Sequence, residues 1–150
     1  MDVVIHIKEE HDKLRRLASM IANEDKDAKK RRAWFKEFKV QITKHARAEE
    51  RVLYEALDRL HTDKALEFTT EGTVEHHLMD YVIANMAKSR ATTSPQWTAR
   101  ANVVKELLEH HLREEEDEMF KMLRKRFTLE QRHAMHEKFE ARRRLVHPKV

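Results

Sequence analysis

The chain contains no cysteine, one glycine and two prolines. The missing cysteine excludes disulfides, thiolate metal sites and a cysteine nucleophile. With so few glycines and prolines, there are few places to turn. Among the 150 residues 39% are charged and 40% hydrophobic, a composition that favours helix. No apolar run approaches the roughly 20 residues that a bilayer span needs. The opening MDVVIHIKEEHDK lacks the basic start, apolar stretch and small-residue cleavage site of a secretory signal. A cytoplasmic protein without a membrane partner is therefore expected. The length suits one domain, 1–150.

Charge of either sign is nearly balanced, with 31 Lys and Arg against 27 Asp and Glu. Lys29-Lys30-Arg31-Arg32 and Arg142-Arg143-Arg144 stand out, but no aromatic or polar readout residues are interleaved with them. They read as a solvated helix face and as a helix C-terminus whose dipole favours cations. No nucleic-acid partner is expected.

Caps and apolar periodicity mark five helices. The first spans about Val3 to Asn23. Asn23-Glu24-Asp25-Lys26-Asp27 is a polar connection whose Asp27 can cap the second, which runs to about Leu60. Thr62 or Asp63 can cap the third, which reaches Lys88 and is expected to break or kink at Gly72. Ser94 and Pro95 suit the N-cap and first position of the fourth, which runs to about Arg126. Thr128 and Gln131 have capping-box spacing and open a short fifth helix, about 129–145. The expectation is an all-α, up-down-up-down four-helix bundle over about 3–126. The fifth helix would pack Leu129, Met135 and Phe139 against it.

Steps of three and four residues trace an inward seam on each long helix. The seams are Val4, Ile7, His11, Leu14, Ala18, Ile21; then Phe35, Phe38, Ile42, His45, Glu49, Val52, Ala56; then Gly72, His76, Met79, Ile83, Met86; then Trp97, Ala101, Val104, Leu108, His111, Glu115, Met119, Met122. Each is interrupted by one histidine, and two also by a glutamate four residues later. A buried carboxylate costs several kcal/mol, on the order of the penalty for any desolvated ion, unless it is paired, protonated or metal-bound. Two such carboxylates and four imidazoles pointing inward are therefore read as metal ligands: His11, His45, Glu49, His76, His111 and Glu115.

Residues i and i+4 stack one turn apart, so His45 with Glu49 and His111 with Glu115 reach one cavity. Six ligands exceed a tetrahedral zinc site and are too nitrogen-rich for calcium or magnesium. They suit two ions bridged by the two carboxylates. Iron fits best, with manganese or zinc as possible substitutes. Glu49-Glu50-Arg51-Val52-Leu53-Tyr54 aligns with Glu115-Glu116-Asp117-Glu118-Met119-Phe120, and His11-x-x-Leu14 with His76-x-x-Met79. That alignment favours His76 and His111 over their neighbours His77 and His110, which read as surface residues or as supports for the ligands. Glu50, Glu114 and Glu116 read as solvated charges. His6, His61, His133, His136 and His147 are expected to be structural, without a partner carboxylate at ligand spacing.

These pieces resemble the hemerythrin-like family, the HHE cation-binding domain. Its pattern is His on the first helix, HxxxE on the second, His on the third and HxxxE on the fourth. KEEH ending at His11, HARAE from His45, EHHLMD containing His76 and HLREE from His111 follow it in order. The resemblance implies an oxo- or hydroxo-bridged non-haem di-iron centre that meets dioxygen, nitric oxide or peroxide. Oxygen-carrying hemerythrins place a fifth histidine four residues after the third-helix histidine, where this chain has Asp80. Asp80 or a solvent oxygen would then take that position. Binding or sensing of oxygen, nitric oxide or iron is the leading expectation. An enzyme consuming peroxide or nitric oxide is a second, for which Tyr54, Tyr81, Trp34 and Trp97 are candidate redox side chains. A metal-free helical interaction module is the third.

Overall fold

The computed structural model describes residues 1–23 and 27–148. The connection at Glu24-Asp25-Lys26 lies outside the described residues. The described residues form five helices. They are α1 (Val3–Ala22), α2 (28–58), α3 (Asp63–Lys88), α4 (95–126) and α5 (Leu129–Leu145). No strand occurs among the described residues, and none of the described helices is long and apolar enough to cross a membrane. Helix α1 packs on α2 and α4, and α3 packs on α4 and on the end of α2, which closes a four-membered bundle. Helix α5 lies across α1 and α2.

Local chemistry sets the ends. Asp2, Asp27, Thr62, Ser94 and Thr128 each accept a backbone N–H of the first turn through the side chain. Such caps are worth about 1 kcal/mol each. Pro95 opens α4, and Thr128 with Gln131 forms a reciprocal capping box. The turn after α2 passes through His61, which takes a left-handed φ of 54°. Arg31 corrects the reading of its basic cluster as wholly solvated. It is buried, donates to the Ile21 carbonyl at 2.8 Å and lies over the Trp97 ring. It thereby ties the C-terminal end of α1 to α2 and α4.

Two helices are not uniform. After Glu49, α2 widens into one π-turn, Glu50–Tyr54, in which the Glu55 N–H bonds to the Glu50 carbonyl. After Glu114, α4 does the same over Glu115–Met119, with Phe120 N–H on Glu115 C=O. An inserted residue rotates everything that follows. In α2 the core therefore receives Leu53, Tyr54 and Leu57, whereas the regular seam places Val52 and Ala56 there. Those two are half-buried and face α5. Leu129 likewise departs from expectation: it is exposed, and Met135 and Phe139 alone of the three are buried.

The apolar interior is divided in two. One cluster gathers Val4, Ile7, Leu53, Leu57, Phe68, Leu123 and Phe139. The other gathers Leu14, Ile21, Phe38, Ile83, Trp97 and Leu108. In α1, α2 and α3 the seam histidine falls between them in sequence, and in α4 His111 lies at the end of the second cluster, beside its last member Leu112.

Helix α3 is continuous through Gly72, contrary to the expected break. The glycine is needed for space. A Cβ there would meet Tyr54 Oη and lie 2.8 Å from Tyr54 Cζ. Gly72→Ala would gain about 1 kcal/mol of helix propensity, but displacing the packed Tyr54 ring costs about 1–3 kcal/mol. The thermal midpoint of Gly72→Ala is therefore expected to fall, and the same substitution in a Tyr54→Ala background to raise it. Calorimetry decides this, and a rise in the Tyr54 protein contradicts the packing account.

Candidate metal centre

His11, His45, Glu49, His76, His111 and Glu115 come together in one layer, each at most 2% exposed. They form two four-residue groups, His11, His45, Glu49, Glu115 and His76, His111, Glu49, Glu115, within each of which the ligand atoms lie no more than 4.8 Å apart. The two carboxylates are common to both groups. Glu49 turns Oε2 to His45 Nε2 at 3.2 Å and Oε1 to His76 Nε2 at 3.0 Å. Glu115 turns Oε1 to His11 Nε2 and Oε2 to His111 Nε2, both at 3.2 Å. Every carboxylate thus addresses both histidine pairs, one oxygen to each.

The outer nitrogens are all occupied. His45 Nδ1 donates to Glu10 at 2.8 Å, His76 Nδ1 to Glu50 at 2.6 Å, His111 Nδ1 to Glu75 at 2.6 Å and His11 Nδ1 to Glu116 at 2.8 Å. The pattern is cyclic: α1 supports the histidine of α2, α2 that of α3, α3 that of α4, and α4 that of α1. A hydrogen bond at Nδ1 fixes the tautomer and turns the Nε2 lone pair inward. All four Nε2 atoms, both Glu49 oxygens and Glu115 Oε1 are buried without a hydrogen-bond partner. Buried polar atoms are seldom left in that state. Seven at one point, all metal-ligand types, fit a bound cation.

Three expectations change here. Glu50 and Glu116 are supports of the ring, not merely solvated charges, and Glu10 and Glu75, which the inward seams do not single out, are the other two. All four adjoin a ring residue in sequence (Glu10-His11, Glu49-Glu50, Glu75-His76, Glu115-Glu116), and that adjacency was the available signal. Asp80 stays outside the ring, paired to Arg47 at 3.0 Å, and Arg47 also holds Glu50 at 3.0 Å. His77 is exposed; His110 is exposed too and pairs with Glu75 and Glu114. His6 and His136 do have carboxylates at ligand spacing, Glu10 and Glu140.

The side chain that does reach the ring is Tyr54. Its ring stacks on His76 at 5.5 Å and 3°, and its Oη donates to Glu115 Oε2 at 2.7 Å. Burial, then the charges of Glu115 and Glu49, hold its phenol well above the ordinary value of 10. Tyr81 is exposed, and Trp97 lies in the apolar cluster with Trp34 against it. In the aligned half, Phe120 stacks on His11 at 6.0 Å.

A family model described as the hemerythrin HHE cation binding domain matches residues 2–123. No curated protein and no solved structure matches the chain.

Without metal, these groups pair as ions. Burial opposes charge on His45, but Glu49 and Glu10 outweigh it and push the imidazole up to about 10. His76 and His111 are raised above 6.5 against the same burial cost, chiefly by Glu49 with Glu50 and by Glu115 respectively. Burial also opposes charge on Glu49, Glu10 and Glu116, yet partner histidines bring Glu49 and Glu10 far below 4.5, and His11 with Arg15 bring Glu116 to about 2. The histidine contribution to stability is complete below 6.5 and is lost as pH rises toward about 10. The carboxylate contribution is present above 4.5 and is lost as pH falls toward about 2. Thermal melts of chelator-treated protein should therefore peak between pH 4.5 and 6.5. A peak at pH 8 or above contradicts this pairing.

Proposed function

The chain belongs to the hemerythrin HHE cation-binding family, and from that premise we propose a non-haem di-iron protein that binds or senses a small ligand such as dioxygen or nitric oxide. His11 and His45 would hold one iron, His76 and His111 the other, and Glu49 and Glu115 would be shared. The observation that carries this reading is the pair of overlapping four-ligand groups with both carboxylates in common. Imidazole mixed with carboxylate suits iron, and manganese or zinc are its natural substitutes.

A di-iron pair supplies redox-active, Lewis-acidic positions to a small molecule. The protein's own part is orientation. Four Nδ1–carboxylate bonds hold the imidazoles facing inward, and such outer partners typically change metal affinity by about 10–100-fold. Asp80, turned toward Arg47, provides no fifth imidazole and no ring oxygen, which separates this protein from simple oxygen carriage. One observation favours a second reading, consumption of peroxide or nitric oxide: Tyr54 keeps a proton on Oη beside Glu115.

Protein produced with iron should contain about two irons per chain and show absorption bands of a coupled ferric pair. Glu49→Ala and Glu115→Ala should each lose both ions. Glu10→Gln and Glu75→Gln should weaken iron binding by about 10–100-fold, while Asp80→Asn should retain two. Full iron content in the Glu49 and Glu115 variants sinks the assignment. Stoichiometric uptake of nitric oxide without turnover supports binding or sensing; multiple turnovers of peroxide or nitric oxide support the enzyme.

A further inference from the structure

We propose that His6, His136 and Glu140, with Glu10 at their inner edge, form a second metal site for a divalent transition ion of the zinc type. The ligand atoms of His6, His136 and Glu140 lie within 4.8 Å of one another, and the two imidazole centroids are 4.6 Å apart. Residues 136 and 140 belong to α5, beyond the 2–123 match, so this cluster is outside the family's ring.

The sequence logic repeats that of the ring. His6-x-x-x-Glu10 on α1 and His136-x-x-x-Glu140 on α5 are both i, i+4 pairs, and each places an imidazole and a carboxylate on one helix face. Where the helices cross, the two faces meet. His6 Nε2 then lies 2.8 Å from Glu10 Oε2 and 2.6 Å from Glu140 Oε1. One ring nitrogen carries at most one hydrogen. It bonds Glu10, and Glu140 Oε1, shielded from water, has no hydrogen-bond partner. Two carboxylates converging on one nitrogen, with a second imidazole alongside, are resolved by a cation at the point of convergence. Arg143 Nε is 3.4 Å from Glu10 Oε2 and leaves Glu140 unmet. A cavity of about 160 Å³ lined by His6, Glu10, Glu140 and Arg143 opens beside the cluster and gives an ion access.

Two imidazoles with one or two carboxylates suit four-coordinate zinc and its neighbours in the first transition row; calcium and magnesium prefer oxygen alone. An ion here fastens α5 to α1. It also shares Glu10 with the ring, because the other oxygen of Glu10 accepts from His45 Nδ1. The alternative, a protonated His6 bridging two carboxylates, takes no metal.

The test is zinc uptake by the iron-loaded protein, measured by equilibrium dialysis with metal analysis, with anomalous diffraction at the zinc edge to locate the ion. The expected result is one zinc per chain at His6 and His136 with the iron retained. His136→Ala/Glu140→Gln should bind that zinc at least about tenfold more weakly, the lower limit even for changes to outer partners, and should lose the zinc-dependent rise in thermal midpoint. Both substitutions are on α5, away from the ring, so their iron content should stay at the wild-type level. Should this double variant fail to fold, His136→Gln with the diffraction measurement replaces it. Equal zinc uptake by wild type and variant, or zinc found at the ring alone, overturns the proposal. A protein that takes zinc here but no iron in the ring overturns the di-iron reading and leaves this site standing.

Discussion

The bond from an outer imidazole nitrogen to a carboxylate on the neighbouring helix is the interaction on which the rest depends. There are four, linking α1 to α2, α2 to α3, α3 to α4 and α4 back to α1. Each is worth about 1.5–3 kcal/mol as a hydrogen bond to a charged group. Their larger effect is directional. A helix sliding by one residue would turn its histidine away from one partner and its glutamate away from another. The polar layer therefore specifies register in a bundle whose two apolar clusters, rich in Leu, Ile, Phe and Met, would tolerate several. Helix packing brings the layer together, and the layer in turn sets how the helices pack.

Much of this is legible in the residues themselves. The five helices and the six ring residues follow from periodicity, because a histidine or glutamate in an apolar seam has few explanations, and residue type marks every N-cap but Asp2. What periodicity misses has a geometric cause. It assumes 3.6 residues per turn, so it places Val52 and Ala56 inward, and a π-turn after Glu49 brings Leu53, Tyr54 and Leu57 there instead. Helix propensity, read alone, breaks α3 at Gly72; packing against Tyr54 is what the glycine serves. The supporting carboxylates were hidden because Glu10, Glu50, Glu75 and Glu116 sit one position off the seam and look solvated along their own helices. Only the neighbouring helix shows what they face. His6 and His136 differ: their carboxylates, Glu10 and Glu140, are visible four residues on along the same helix, but both pairs lie off the inward seams.

The π-turns and the ring are parts of one arrangement. Both lie at the ends of the HxxxE segments, and each brings an aromatic ring, Tyr54 or Phe120, over the histidine of the next helix in the cycle, α3 after α2 and α1 after α4. The halves α1–α2 and α3–α4 are related by an approximate two-fold through the centre. Glu10-His11 corresponds to Glu75-His76, and Glu49-Glu50 to Glu115-Glu116. The outer charges reach the same end by different routes: Arg15 holds Glu116 from α1, whereas the matching position on α3 is Asp80, and Glu50 is held by Arg47 of its own helix.

Beside the ring, one atom departs from that plan. Where Phe120 presents a bare ring edge, Tyr54 carries a hydroxyl, and where Ile7 fills the space one turn before His11, Gly72 leaves room for it. At the ring, that oxygen and the room Gly72 makes for it break the two-fold. On the proposed reading, a diatomic molecule lodged between the halves would lie near a hydroxyl engaged with Glu115 on one side and hydrocarbon on the other. Its two ends would cease to be equivalent, so the site would have polarity: it would distinguish head from tail in a guest that has almost no shape.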